Sequence, residues 1–198
     1  MTTKERILEA ALTLFAENGY DGTSMEQIAA GVGIKAPSLY KHFKGKEDIL
    51  NTLIDRAEAR YEENFGSEKN VGRLPESSGE FVAMTMNRVR FTMTDPMIGK
   101  IRRFLVQEQF RSPRLAEITT RHQNEGIQKM YQKIIEGMMA AGLWQKENPA
   151  LMALEITAPV VLLLARVDRQ PENEKEALRI IEEHLRYFCR LYLKDGKA

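Results

Sequence analysis

The sequence predicts an all-α protein, and three observations lead to this prediction. Apolar residues recur at spacings of three and four along most of the 198 residues, which places them on one face of an α-helix. No segment sustains an alternation of polar and apolar residues, and no Asn-Gly or Asp-Gly turn joins two such segments. Hydrophobic residues make up 43% of the chain, which is enough to bury a core.

Composition also limits the classes of protein to consider. The single cysteine, Cys189, has no partner for an internal disulfide, and the N-terminus lacks a basic start followed by an apolar run, so we expect a cytoplasmic protein. The most apolar segment, residues 156–167, contains Pro159 and is shorter than a membrane span of about 20 residues. We therefore expect a buried helix there and no membrane partner.

Capping signals define the first two helices. Thr2 followed by Glu5 forms a capping box for a first helix, which ends at Gly19. Thr23 followed by Glu26 predicts a capping box for a short second helix that ends near residue 31. Both helices carry apolar side chains on one face, so we expect them to share one small core with the third helix.

The third and later helices are predicted from proline, acidic residues and periodicity. Pro37 suits the first turn of a third helix, because an N–H there has no helical acceptor. Glu47 and Asp48 fall in the first turn of a fourth helix, where acids favour the helix dipole. Residues 66–79 are rich in glycine, serine and charge and are predicted to form a loop. The remaining helices are predicted at residues 78–94, 97–110, 113–141, 148–167 and 172–193.

The last two predicted helices differ from the others in their apolar residues. Residues 156–167 are apolar nearly all round the helix. The final helix carries an apolar stripe made of Leu178, Ile181, Leu185, Phe188 and Tyr192. Large apolar surfaces of this kind predict contact with another subunit.

Lysines concentrate between Gln27 and Lys46. This segment holds four lysines and no acidic residue, although the net charge of the whole chain is only +1. A short basic helical segment is typical of a surface that attracts phosphate.

The same segment predicts a tight corner between two helices. A helix-turn-helix needs a small residue where the helices cross, a residue that tolerates positive φ in the turn, and apolar anchors for the second helix. Ala29, Gly33, Ile34 and Leu39 meet these needs in order. We expect the third helix to project from the domain, and an α-helix fits the major groove of B-DNA.

Residues 23–50, TSMEQIAAGVGIKAPSLYKHFKGKEDIL, resemble the DNA-binding signature of the TetR family of bacterial repressors, and the preceding LFAENGYDGTS is similar to the family's first helix and turn. Lys35 departs from the family pattern, which commonly has a small hydroxyl residue there. The resemblance implies a three-helix helix-turn-helix domain at residues 1–46. A fourth helix joins it to a larger C-terminal helical domain, residues 47–198, for effector binding and dimerisation.

The resemblance also implies DNA contacts by residues of the second, third and fourth helices. Those expected to face bases or nearby phosphates are Lys35, Ala36, Pro37, Ser38 and Lys41. Those expected to contact the DNA backbone are Ser24, Tyr40, His42 and Lys46. Each has a structural alternative: His42 packs beside Phe43, Tyr40 is a core residue with an exposed hydroxyl, and the lysines only face solvent.

By the same resemblance, the protein is expected to form a homodimer through its last two helices and to bind a roughly palindromic operator. A small, apolar effector is expected to occupy a pocket in the C-terminal domain. The candidate lining residues are Phe91, Ile101, Phe104, Met130, Tyr131, Ile134, Trp144 and Met152. Ten methionines support an adaptable pocket, because flexible thioether side chains can repack around a ligand.

Two other functions remain open at this point. An all-α enzyme would need a nucleophile or a metal site, but Cys189 lies on an amphipathic helix, and His42, His122 and His184 lack metal-binding spacing. We therefore expect no catalytic residue, metal ligand or cofactor. A helical adaptor would use the basic helix to bind an acidic protein partner. Salt-sensitive binding to DNA with dyad symmetry would distinguish a repressor from both.

Overall fold

The computed structural model describes residues 1–66 and 72–193, so residues 67–71 of the predicted loop lie outside the described residues. Within these ranges the chain is helical, as predicted, with no strand and one isolated β-bridge between Trp144 and Leu193. The α-helices are α1 (Thr3–Asn18), α2 (Met25–Val32), α3 (Ala36–Tyr40), α4 (Lys46–Phe65), α5 (Ser78–Thr94), α6 (Pro96–Glu108), α7 (Pro113–Thr120), α8 (Gly126–Ala140), α9 (Pro149–Arg169) and α10 (Glu174–Tyr192).

The chain divides into two compact units. The N-terminal unit comprises Met1–Glu63 and Pro96–Thr119, and the C-terminal unit comprises Asn64–Asp95 and Thr120–Ala198. Helices α6 and α7 therefore belong to the same unit as α1, α2 and α3. The predicted functional division at residue 46 remains a prediction, because compactness alone does not define where DNA binding ends.

The N-terminal unit has one apolar core. Its largest fully buried side chains include Phe15 from α1, Ile28 from α2, Leu39 from α3 and Phe104 from α6. The ring centroid of Phe15 lies 5.6 Å from that of Phe104 and 5.4 Å from that of Tyr20. Helix α6 thus supports the helix-turn-helix from within the same core.

The start of α2 differs from the prediction. Its N-cap is Ser24 and not Thr23: the Ser24 hydroxyl accepts from the backbone N–H of Gln27 at 3.2 Å, and the Gln27 side chain accepts from the N–H of Ser24 at 2.6 Å. Thr23 is buried, and its hydroxyl lies within hydrogen-bond distance of two carbonyl oxygens, at the end of α1 and in the following turn. The capping box of α1, Thr2 with Glu5, is confirmed.

Gly33 forms the corner between α2 and α3, as predicted. It is left-handed, with φ 75° and ψ 33°, a conformation that is unfavourable for residues with a Cβ atom. Its N–H donates to the carbonyl of Ala30, and the N–H of Ile34 donates to that of Ala29, both at 3.0 Å. These bonds satisfy carbonyls that the end of α2 leaves without helical donors.

Aromatic rings form the centre of the C-terminal unit. Phe81 packs edge-on against Trp144 at 4.8 Å, and Phe188 packs edge-on against Trp144 at 5.6 Å. Ile181 and Leu185 of α10 are buried in the same core. The apolar stripe of α10 therefore packs inside its own unit, and the prediction that this stripe contacts another subunit is wrong for these buried side chains.

Helices α7 and α8 form one continuous helical segment, in agreement with the predicted helix at residues 113–141. A π-helical turn, Arg121–Glu125, joins them. A π-turn accommodates one extra residue in a helix. The change from the N-terminal to the C-terminal unit occurs next to it, between Thr119 and Thr120.

Helix α9 is longer than its most apolar segment, because it begins at Pro149 and continues through Pro159. Among the described residues it is the one helix long and apolar enough, by length and composition, to cross a membrane, whereas the apolar segment alone was predicted to be too short. Core helices pass the same test, and Met152, Ala153 and Ile156 of α9 are buried in the C-terminal unit.

The neighbouring helix α10 compensates for the proline inside α9. Pro159 has no N–H, so the carbonyl of Glu155, four residues earlier, loses its usual helical donor. Nε2 of His184 on α10 lies 3.0 Å from that oxygen. Because a carbonyl can only accept, this nitrogen must carry the proton and donate.

We expect His184→Ala to lower the free energy of unfolding by about 1 kcal/mol, because the Glu155 carbonyl then loses its donor. The same change in a Pro159→Ala background should have a much smaller effect, since an alanine at position 159 supplies a helical N–H. A double-mutant cycle from urea unfolding, followed by circular dichroism, measures the difference. Equal losses in both backgrounds would contradict this account.

Candidate nucleic-acid interface

Helix α3 presents two of its five side chains, Pro37 and Tyr40, to solvent as exposed residues. Lys35 precedes it in extended conformation, Pro37 lies in its first turn, and Leu39 is its buried residue. Pro37 is exposed, and Ala36 and Ser38 are half-buried. The helix is thus attached to the core through Leu39, with Ala36 packed against the same core, while Pro37 and Tyr40 are accessible to a ligand.

The basic side chains around α3 are exposed as well. Lys35, Lys41 and Lys44 are all exposed, and none forms an ion pair within the described ranges. Unpaired cations on one short segment can neutralise phosphates. The structure therefore brings together three of the four lysines that the sequence singled out.

Tyr40 and His42 lie beside these lysines. The side chain of Tyr40 is 52% exposed, and its hydroxyl makes no hydrogen bond to any described residue. His42 is exposed, while the neighbouring Phe43 is buried. Both side chains can therefore donate to a phosphate without breaking an internal contact.

Lys46 differs from the other lysines because the fold holds its side chain. Its Nζ donates to the backbone carbonyl of Tyr20 at 2.7 Å and lies 4.7 Å from the centroid of the Tyr20 ring. Burial of this ring, with a smaller contribution from the nearby Glu47 carboxylate, raises the pKa of Tyr20. The ammonium has three N–H donors, so it retains donors for a phosphate in a fixed position at the start of α4.

The Ser24 hydroxyl both caps α2 and keeps a proton that can be donated to a ligand. Its oxygen caps α2 by accepting from Gln27, which leaves the hydroxyl proton free to donate. The side chain is half-buried at the N-terminus of α2, where the helix dipole favours an anion. This geometry suits a phosphate contact.

Three cationic residues that contact residues in or next to α2, α3 and α4 were not predicted from the sequence. The ammonium of Lys4 lies 5.2 Å from the centroid of the Phe43 ring, and Arg6 donates to the carbonyl of Val32 at 2.6 Å. Arg114 of α7 donates to the side chains of Glu47 and Asn51 on α4. These contacts depend on how separate helices cross, which periodicity does not specify; their positive charge was the only signal in the sequence.

The predicted pocket residues fall into both units. Ile101 and Phe104 are buried in the N-terminal core. The candidates in the C-terminal core cluster or packed against it are Met130, Tyr131, Ile134, Trp144 and Met152. Phe91 also lies in the C-terminal unit, with its ring edge-on to Phe65 at 5.1 Å. Their role in ligand binding remains a prediction.

The described part of the chain offers neither an activated cysteine nucleophile nor a cluster of metal ligands. Burial raises the pKa of the Cys189 thiol to about 11, which keeps it protonated near neutral pH. No group of three or more histidine, cysteine, aspartate or glutamate side chains is placed to hold a metal ion within residues 1–66 and 72–193.

Comparison with protein families gives two matches that cover most of the chain. Residues 7–53 match the bacterial regulatory proteins of the tetR family. Residues 82–194 match the C-terminal domain of AefR-like transcriptional repressors. The second match alone covers more than half of the 198 residues.

Similar curated proteins share the N-terminal region. The biofilm operon icaADBC HTH-type negative transcriptional regulator IcaR of Staphylococcus aureus (strain Newman) is 52% identical over 51 residues, which are 26% of this chain and 27% of IcaR. IcaR of Staphylococcus epidermidis is 44% identical over 52 residues, which are 26% of this chain and 28% of that protein. The matched region thus spans about a quarter of the length of these relatives.

Solved structures share the whole fold. A TetR-family transcriptional regulator from Mesorhizobium loti has a TM-score of 0.73 at 22% identity, over 97% of each chain. SmeT, the repressor of the Stenotrophomonas maltophilia multidrug efflux pump SmeDEF, has a TM-score of 0.79 in its complex with triclosan, at 20% identity, over 99% of this chain and 94% of SmeT.

The fold and both family matches lead to the same conclusion. An all-α chain begins with a helix-turn-helix that has exposed lysines around α3, and the family matches cover both its N-terminal and C-terminal parts. The chain belongs to the TetR family of bacterial regulatory proteins, which are DNA-binding transcription factors and not enzymes.

Proposed function

We propose that this protein is a cytoplasmic transcriptional repressor that binds a roughly palindromic operator as a homodimer and is released by a small effector. The observation that carries the proposal is the accessible set of donors around α3. Lys35, Lys41 and Tyr40 are exposed without internal hydrogen-bond or ion-pair partners among the described residues. A recognition helix needs such donors to contact phosphates and base edges.

The other predicted contacts have distinct parts in this proposal. Ala36, Pro37 and Ser38 lie at the start of α3, the end of a recognition helix that reaches base edges. His42 and Lys46 contact the DNA backbone, as does Ser24 at the N-terminus of α2. Because the Lys46 ammonium is fixed on the Tyr20 carbonyl at 2.7 Å, its phosphate contact is already oriented before DNA binds.

Apolar side chains exposed on the last two helices support a homodimer. On α9 these are Leu151, Leu154 and Leu162, and on α10 they are Tyr187 and Leu191. The leucines lie on the face of α9 opposite its buried residues, and Leu162 is 67% exposed. A second copy that covers this face would remove it from water.

An effector in the C-terminal domain is the third part of the proposal. SmeT, which shares this fold, has been solved in complex with triclosan. In our chain, apolar residues of α5, α8 and α9 such as Phe91, Met130, Tyr131 and Met152 are candidates to surround a ligand. Coupling between the effector site and the DNA site is expected to be about 1–3 kcal/mol, as in other allosteric proteins.

DNase footprinting on the DNA upstream of the protein's own gene tests the proposal directly. We expect a protected region with dyad symmetry and with half-sites about one helical turn apart, near 34–36 Å. Binding of equal strength to scrambled DNA, or salt-sensitive binding to an acidic protein in place of DNA, would contradict it.

Tyr40→Phe should weaken operator binding about a hundredfold, because each of the two subunits loses a hydrogen bond to a charged phosphate, worth about tenfold apiece. Thermal stability should not change, since the hydroxyl has no internal partner. Fluorescence anisotropy titration measures the affinity. An operator affinity equal to that of the unsubstituted protein would remove Tyr40 from the interface.

Replacement of Lys35 and Lys41 together by alanine should reduce the magnitude of the slope of log affinity against log salt by about 3.6, because each phosphate contact contributes about 0.9 and the homodimer loses four such contacts. The control replaces the exposed Lys129 and Lys175 of the C-terminal unit, which changes the net charge equally. Titrations at several salt concentrations compare the two. An equal slope in both double variants would contradict a specific role for α3.

Leu162→Glu should convert the dimer to a monomer, because it places a charge in an apolar contact. The measurement is sedimentation equilibrium across a range of protein concentrations. Phe110→Glu, at a residue that is 89% exposed after α6, is the matched control and should stay dimeric. A Leu162→Glu variant with the mass of a dimer would place the subunit contact elsewhere.

A further inference from the structure

Arg88 of α5 is a buried cation without a carboxylate partner among the described residues. Arg88 as a whole residue is only 7% exposed to solvent. Nη2 donates to the carbonyl of Phe65 at 2.9 Å, and Nη1 lies 3.2 Å from the sulfur of Met130. Nε is buried and has no hydrogen-bond acceptor within residues 1–66 and 72–193. Among the described residues, the positive guanidinium contacts only neutral groups.

A second polar group close by in sequence also lacks an acceptor. Thr85 is completely buried, three residues before Arg88 on the same face of α5, and among the described residues its hydroxyl has no well-formed hydrogen bond, although the Tyr131 phenol is close enough to interact with it. Thr92 and Thr94 on the same helix instead donate to carbonyls four residues earlier, at 2.8 and 2.9 Å, as helical threonines usually do. Thr85 and Arg88 Nε are thus two unused donors on one face of a helix.

The surroundings of these donors are aromatic and apolar. The guanidinium lies 5.7 Å from the centroid of the Phe65 ring and 5.9 Å from that of Tyr131. Burial raises the pKa of the Tyr131 phenol, against smaller opposite effects of the Arg88 charge and of the nearby Thr85 hydroxyl, so the phenol stays neutral and can donate. Met130 contributes a flexible side chain that repacks easily.

A purely structural role explains only part of this arrangement. Phe65 is the last residue of α4, and a cation at the C-terminal end of a helix is favourable. That role uses one of the five N–H donors of the guanidinium. It leaves Nε of Arg88 and the hydroxyl of Thr85 without acceptors, which buried polar groups normally have.

We propose that the effector is an organic acid with an apolar body, and that its carboxylate binds Arg88. This assignment rests on the proposed function, because it names the chemical class of the effector. The two carboxylate oxygens match the fork formed by Nε and an Nη group of arginine, and the Thr85 and Tyr131 hydroxyls are further donors. The apolar body packs against Phe65 and Met130.

Binding also has a consequence for α4. A carboxylate competes with the Phe65 carbonyl for the guanidinium, so the acid weakens the bond that Arg88 makes to the last residue of α4. The first residue of this helix is Lys46, which belongs to the proposed DNA interface. The acid should therefore lower operator affinity, whereas a neutral apolar compound leaves this bond in place.

The test compares acids with their neutral primary amides on the full-length protein. The probes are benzoate, 2-naphthoate, 4-phenylbutyrate and decanoate, each paired with its amide, and binding is measured by calorimetry and by the shift in melting temperature. For at least one pair we expect the acid to bind about tenfold more tightly than the amide. If no acid binds more tightly than its amide, the proposal is overturned.

Variants then assign the preference to Arg88. Arg88→Gln should reduce the acid-to-amide affinity ratio to about one, while Arg90→Gln, at an exposed arginine on the same helix, should leave it unchanged. If Arg88→Gln does not fold, Arg88→Lys keeps the charge but loses the fork, and we expect an intermediate ratio. A folded Arg88→Gln variant that retains the full preference, even with a lower melting temperature, overturns the assignment and leaves Arg88 as a cap of α4.

Operator binding by the same samples separates this proposal from the proposed function. If the protein binds a dyad-symmetric site but no acid is preferred, only the identity of the effector is wrong. If an acid is preferred through Arg88 but no specific DNA is bound, the repressor proposal fails and the acid site stands.

Discussion

The left-handed conformation of Gly33 is the constraint on which the DNA-binding unit depends. At φ 75° and ψ 33° the backbone leaves α2 and turns at once into the segment before α3. Helix α3 has only five residues, and an isolated helix of that length is not stable in water. Its existence therefore depends on the corner and on the burial of Leu39, and the position of every donor around it follows from these two features.

Much of the fold was predictable because local signals and tertiary packing agree. The later helices begin and end within about two residues of the predicted positions, since proline and glycine mark both ends of most of them. The residue that caps the N-terminus of α2 could not be predicted from the sequence. Thr23 and Ser24 are adjacent hydroxyl residues, and only the packing of Thr23 against carbonyls of α1 and the following turn decides which of them caps the helix.

The candidate sites differ in how far sequence could define them. Exposed residues of α3 follow from one short motif, so Lys35 and Tyr40 were identified by their positions in it. The side chain of Lys46 is fixed by a carbonyl 26 residues earlier, which no helical period reveals. Arg88 was missed for a related reason: an arginine on an amphipathic helix normally indicates a solvent-facing side, and only the packing of α4, α5 and α8 shows that this one is inside.

The way in which α3 is anchored has an evolutionary consequence. Of its five residues Leu39 is fully buried and Ala36 packs against the core, so substitutions at Pro37, Ser38 and Tyr40 alter little of the core. Mutation can therefore change operator preference almost independently of folding, which allows a duplicated gene to acquire a new regulatory target without first losing its stable scaffold. Lys35, immediately before this helix, is where the chain departs from the common family pattern, as expected for a surface free to diverge.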